Sequence, residues 1–179
     1  MESSPAKNLT SMILVASPLL MDPNFRRTII FLTKHSTEDG CLGFELNRPT
    51  DISFKLPMEP DLKLPVYCGG PVQPEALTLA SLFWKEPPGG ATFHAFTEDP
   101  DVLTIPRQYQ KGLRAFSGYA GWSPGQLEEE IESQSWVVLA PTPHQRQHPR
   151  PPKASREIMR EVGSLYYCLA LAPDDPSRN

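Results

Sequence analysis

Asn47 and Arg48 end an alternating, strand-like run just before Pro49, and polar residues at a strand end often meet ligand groups. A guanidinium there offers a planar fork to a carboxylate. The carboxylate can belong to a ligand or to the chain itself, with Asp22 and Glu75 as the internal candidates. Gly69 and Gly70, followed by Pro71, mark a second place where the backbone needs special freedom. That run lacks the Lys-Ser/Thr of a phosphate loop and the spacing of a dinucleotide fingerprint, so it reads as a turn. A third place lies in residues 116–131, where Gly118 and Gly121 punctuate the aromatics Tyr119 and Trp122. Glycines so placed suggest a strand end approached closely by another backbone or a ligand.

Directly after this, Ser123 suits an N-cap, Pro124 the first helical position and Gln126 the far side of a capping box. A helix start can hold an anion. Here Ser123 and Gln126 would occupy its donors, and Glu128, Glu129 and Glu130 would repel a phosphate. The start therefore reads as a cap, which leaves Tyr119 and Trp122 as walls of a groove.

Other chemistry is harder to nominate. His144 and His148 are four apart, but they lie among prolines without the glutamate of an H-E-x-x-H site. His35 and His94 are isolated, and no nucleophile elbow is present. No catalytic residue, metal or cofactor is nominated. A hydrolase-like set would have to be gathered by the fold from His35, Asp22, Glu75 or Cys68, with two of them in hydrogen-bond reach in one pocket.

The elements that must position these residues are short. Twenty-one prolines in 179 residues are about twice the usual share of about 5% and favour many sharp connections. Strands are expected over residues 11–16, 27–34, 41–47, 66–68, 76–84, 91–96, 113–119 and 136–140. Asp39-Gly40 supplies the positive-φ turn of the best hairpin. Residues 50–65, cut by Pro57, Pro60 and Pro65, read as irregular, and residues 99–103 as a helical turn. A helix is expected over residues 154–163. The pattern predicts an α+β domain on a mainly antiparallel sheet.

The net charge of −4 and pI near 5.6 provide no general field for nucleic acid, which is disfavoured as a partner. Arg146, Arg150, Lys153, Arg156 and Arg160 make the C-terminal part locally basic and read as a solvated linker and helix face. Cys41, Cys68 and Cys168 form no C-x-x-C pair and fit a reducing cytosol. The apolar run 12–21 contains Pro18 and falls short of the roughly 18 residues of a membrane span.

Taken together, several motifs resemble the AlgH/YqgE family of bacterial proteins. They are Asp22-Pro-Asn-Phe25 with Thr28, His35 through Gly40 and Gly43 to Asn47-Arg-Pro49, Gly69-Gly-Pro-Val72, and Gly118-Tyr-Ala-Gly-Trp-Ser-Pro-Gly-Gln-Leu-Glu128. The resemblance implies a coiled, partly barrel-like sheet with a few short helices packed outside, in a cytoplasmic protein. It implies no particular reaction, and the label of transcriptional regulator travels with the family. Residues 50–65 lack the leucine-rich helix usual after Asn-Arg-Pro, and the proline-rich tail departs from the family's ending.

The expected layout is a core at 9–141 and a divergent segment at 142–179 packed on the same domain. The expected function is a non-enzymatic module binding a small molecule or protein, with an enzyme or a transcriptional regulator as alternatives. Asn47, Arg48, Gly69, Gly70, Tyr119 and Trp122 are its expected ligand-binding residues.

Overall fold

A computed structural model describes residues 8–56, 59–84, 91–96 and 112–141. Among these are nine strands and one helix: β1 Ile13–Ala16, β2 Ile29–Ser36, β3 Gly40–Glu45, β4 Pro49–Leu56, β5 Glu59–Cys68, β6 Val72–Trp84, β7 Ala91–Phe96, β8 Leu113–Trp122, α1 Gln126–Glu132 and β9 Trp136–Leu139. The expected residues 99–103, the helix over 154–163 and the basic tail lie outside the described residues.

β1 shows why the fold has two core layers. All four of its residues are buried, and alternation sends them to opposite faces. Ile13 and Val15 join Ile29, Phe31, Leu82 and Ala91, beneath the β6–β7 hairpin. Leu14 and Ala16 join Ile30, Leu32, Trp122, Leu127 and Trp136, beneath α1. A strand covered on both sides needs a continuous apolar run, and Ile-Leu-Val-Ala is one.

The strand order is β4-β5-β8-β3-β2-β1-β9, with β6 pairing both β7 and β8. Every pairing is antiparallel except β5 with β8. The class is α+β, as expected, and the sheet is not closed into a barrel: β4 and β9 stand at opposite ends of the path. The β2–β3 hairpin forms as read, with Gly40 at φ +88°.

β8 is the organising strand. Its first half lies between β5 and β6, and its last residues, Ala120 to Trp122, pair with β3. Gly118, at φ +70°, stands at the switch. A side chain there would be strained in conformation and would press on the carbonyls of Gly70 and Val72.

Two expectations are corrected. Residues 50–56 and 59–65 are not irregular: β4 and β5 pair antiparallel there. Among the described residues β4 has β5 as its single partner, and β5 gains β8 beside it only from Val66 onward. Pro60 and Pro65 sit ahead of that point on edge-like backbone, where a missing N–H is tolerated. Register irregularities between Pro49 and Ser53 and between Lys55 and Leu56 absorb the remaining mismatch.

The second correction concerns the helix start. Gly125, at φ +77°, is the N-cap residue of α1, and no side chain caps it. Ser123 instead opens a turn: its carbonyl accepts from Gln126 N–H at 3.1 Å, and its own N–H donates to Gln126 Oε1 at 3.0 Å. Half of the capping box is therefore present. The left-handed glycine delays the helix until Gln126.

Candidate ligand groove

One face of the β2–β3–β8 junction carries an open groove of about 470 Å³. Cross-strand pairing explains its lining. Leu42 is opposite Gly121 and Lys34 is opposite Leu42, while Val72 is opposite Tyr119. Tyr119 and Gly121 are two apart on β8 and share that face. The Tyr119 ring edge lies 3.3 Å from where a Cβ on Gly121 would stand, so the ring fills space the glycine leaves open. Asp39, Gly40, Ser123 and Pro124 complete the rim, and Lys34 Nζ lies 3.7 Å from Asp39 Oδ2. Both of these charged side chains are well exposed.

Of the six expected ligand-binding residues, Tyr119 and Trp122 border this groove. The Trp122 side chain, however, is only 5% exposed and serves the other core layer. Its indole N–H donates to Glu130 Oε2 at 2.9 Å, and Trp136 donates to the same oxygen at 2.7 Å. Phe25 stacks on Trp122, and Trp136 meets both rings edge-on.

The other four residues stand elsewhere and bind the chain itself. Asn47 is buried, accepts from Ile29 N–H and donates to the carbonyl of Arg27, both at 2.9 Å. Arg48 does hold a carboxylate, but it is Glu45, with Nε 3.1 Å from Oε2, and not Asp22 or Glu75. Its Nη2 also donates to the carbonyls of Arg26 at 3.1 Å and Pro23 at 3.5 Å. Gly69 donates to the carbonyl of Ser117 and accepts from Glu45 N–H. At Gly69 and Gly70 a Cβ would collide with the Gly118–Ala120 stretch of β8. The close approach read from these glycines is that of one backbone to another.

The proposed acid–base set is not what His35 joins. Its Nε2 lies 2.9 Å from Glu128 Oε1 on α1, with the imidazole 4% exposed. Cys41 faces His35 across β2–β3, and burial pushes its thiol up, which keeps it neutral and weakly nucleophilic. Cys41 and Cys68 are free thiols. Among the described residues no group of three His, Cys, Asp or Glu could hold a metal, and no helix is long and apolar enough to cross a membrane.

Sequence reasoning missed Glu45. It occupies the polar side of an apparently one-sided alternation, Cys41-Leu-Gly-Phe-Glu-Leu46, yet its residue is 1% exposed because β3 is covered on both faces at this end. Burial raises its carboxyl to about 7, while Arg48 pulls the other way. Only the knowledge that β3 is internal could have revealed this.

These features define a strand-rich α+β module with an open groove at a three-strand junction. The chain belongs to the AlgH-like family, whose model matches residues 13–167, through the proline-rich stretch. A UPF0301 protein of Streptomyces avermitilis is 37% identical over 96% of this chain and 96% of its own length. One from Burkholderia thailandensis is 38% identical over 79% and 82%. In fold, the chain is similar to a crystal structure of a Corynebacterium diphtheriae protein, with a TM-score of 0.68, 21% identity, and 96% and 95% of the two chains covered. It is also similar to the solution structure of Pseudomonas aeruginosa AlgH, with a TM-score of 0.57, 24% identity, and 97% and 99% covered.

Proposed function

We propose that this bacterial AlgH-like protein is a non-catalytic, regulatory binding module that takes a small molecule in the groove beside Tyr119. The groove carries this reading. Its size falls within the range of about 300–1,000 Å³ typical of ligand sites. Its lining combines apolar surface from Leu42, Val72 and the Tyr119 ring with a few polar groups, Lys34, Asp39 and Ser123, that can orient a ligand. The free thiols support a cytoplasmic setting.

Thermal-shift screening of the full chain against metabolite mixtures tests the reading. A ligand should raise Tm, and Tyr119→Ala should weaken its binding by about tenfold, the loss of a buried aromatic contact worth about 1.4 kcal/mol. A screen with no stabilising compound would overturn the proposal, as would a ligand indifferent to Tyr119→Ala.

A further inference from the structure

Lys34 reaches the groove through an irregularity in β2. The register with β3 shifts between Leu32 and Lys34, so that Lys34, and not Thr33, stands opposite Leu42. Thr33 Oγ1 donates to the Leu42 carbonyl at 3.2 Å and anchors the extra residue. A regular ladder would leave Thr33 on the groove face and turn Lys34 to the side of Cys41 and α1. Bulges of this kind disrupt pairing and occur where a side chain is re-aimed. The carboxylate beside Lys34 is also held in place. Asp39 N–H donates to Ser36 Oγ at 3.0 Å, and that hydroxyl donates to Asp39 Oδ2 at 3.3 Å, which fixes Asp39 at the hairpin tip. Gly121 keeps the floor open. It lies opposite Leu42 on β3, and Val72 Cγ2 is 3.7 Å from where a Cβ on Gly121 would stand.

We propose that the groove takes an α-amino acid with a large apolar side chain, its carboxylate on Lys34, its ammonium on Asp39 and its side chain over Leu42, Gly121 and the Tyr119 ring.

This assignment rests on the small-molecule reading of the groove and adds the ligand's class, which the charge pattern selects. Lys34 Nζ and Asp39 Oδ2 are 3.7 Å apart on side chains that are 59% and 70% exposed. Such a surface pair contributes little by itself, so a ligand can open it at small cost. A ligand carrying both charges re-pairs both groups. A carboxylate alone meets the like charge of Asp39, as a phosphate would, and an ammonium alone meets that of Lys34. The two rim groups are close together, so the ligand's charges must be close too, as an ammonium and a carboxylate on one carbon are. The carbon surface of Leu42, Val72 and the Tyr119 ring then favours a large apolar substituent on that carbon.

Amide NMR of the full chain tests the class, with L-phenylalanine and L-leucine as probes. Two further probes, 3-phenylpropionate and phenethylamine, carry the phenylalanine ring with the carboxylate or the ammonium alone. The amino acids should shift the amides of Leu42, Tyr119, Gly121 and Ser123. Each singly charged analogue should bind at least about tenfold more weakly than L-phenylalanine. Lys34→Gln should weaken L-phenylalanine to the level of phenethylamine and leave phenethylamine itself nearly unchanged. Asp39→Asn should weaken L-phenylalanine to the level of 3-phenylpropionate and spare that compound. Both side chains are exposed, so both variants should fold. Equal binding of L-phenylalanine and its two analogues, or no loss in either variant, would overturn the amino-acid class and leave the groove reading standing. So would silence from all four probes while a metabolite mixture raises Tm in a manner that depends on Tyr119. Silence from the probes and the mixtures alike would overturn both.

Discussion

At the scale of single residues, two carboxylates, half-buried Glu130 and buried Glu45, do different work. Glu130 accepts from Trp122, Trp136 and Gln126, and so binds both indoles of one core layer to α1. Hydrogen bonds to a charged acceptor contribute roughly 1.5–3 kcal/mol each when partly buried. Glu130→Ala should therefore lower unfolding stability by about 2–4 kcal/mol and change tryptophan emission, whereas Glu130→Gln keeps one carbonyl acceptor and should lose less. Denaturant unfolding followed by fluorescence measures both.

Glu45 behaves oppositely. Its folded-state carboxyl lies above its unfolded one, so its charge opposes folding above about pH 7, and that cost is relieved as pH falls toward 4.5. Between pH 8 and pH 5 the protein should gain up to about 3 kcal/mol from this group, and Glu45→Gln should flatten that part of the pH–stability curve. Equal slopes in the two proteins would show that Glu45 is not responsible. Its buried neighbour Asn47 satisfies two backbone groups, so Asn47→Ala should cost about 2–3 kcal/mol by the same unfolding measurement.

At the scale of elements, α1 and β8 show how weak local signals become firm in context. A helix of seven residues is too short to persist alone. It is held by Leu127, fully buried beneath it, by Glu130 and by the contact of Glu128 with His35. The apolar spacing of Leu127 and Ile131 announces the buried face, whereas the partner of Glu128 lies on a different element and leaves no mark in local sequence. β8 changes neighbours at Gly118, so Gly118→Ala adds both a disallowed φ and a backbone collision. A loss of 2–4 kcal/mol or more is expected on principle for such a site, roughly twice that of Gly121→Ala, where the contact is a movable ring edge. Thermal unfolding of the two variants would rank them, and the reverse order would contradict the role given to Gly118.

At the scale of the whole molecule, the two core layers make function and stability share one sheet. The β6–β7 hairpin covers one side and α1 with Phe25 the other, while the groove opens where β2, β3 and β8 meet. Residues that looked like ligand contacts, Asn47, Arg48, Gly69 and Gly70, join segments distant in sequence to one another. Tyr119 alone of the six keeps its ring on the groove side while Trp122 turns inward. Period-two alternation separates these two, because residues three apart on a strand point to opposite faces.

The sequence by itself determined the hairpin at Gly40, the α+β class and the family. Each rests on local chemistry: a positive-φ glycine, β-branched runs, and motif residues suited to particular turns. It misjudged residues 50–65, since edge strands tolerate prolines that would break an internal one. Only the tertiary structure decided which side of β3 is wet: Glu45 is covered, while Leu42 opens on the groove. Glu45 was thereby buried and Arg48 drawn to it, while Tyr119, on another strand, stands beside the groove. Burial depends on what packs against both faces of a strand, and those partners come from chain segments that no local pattern identifies.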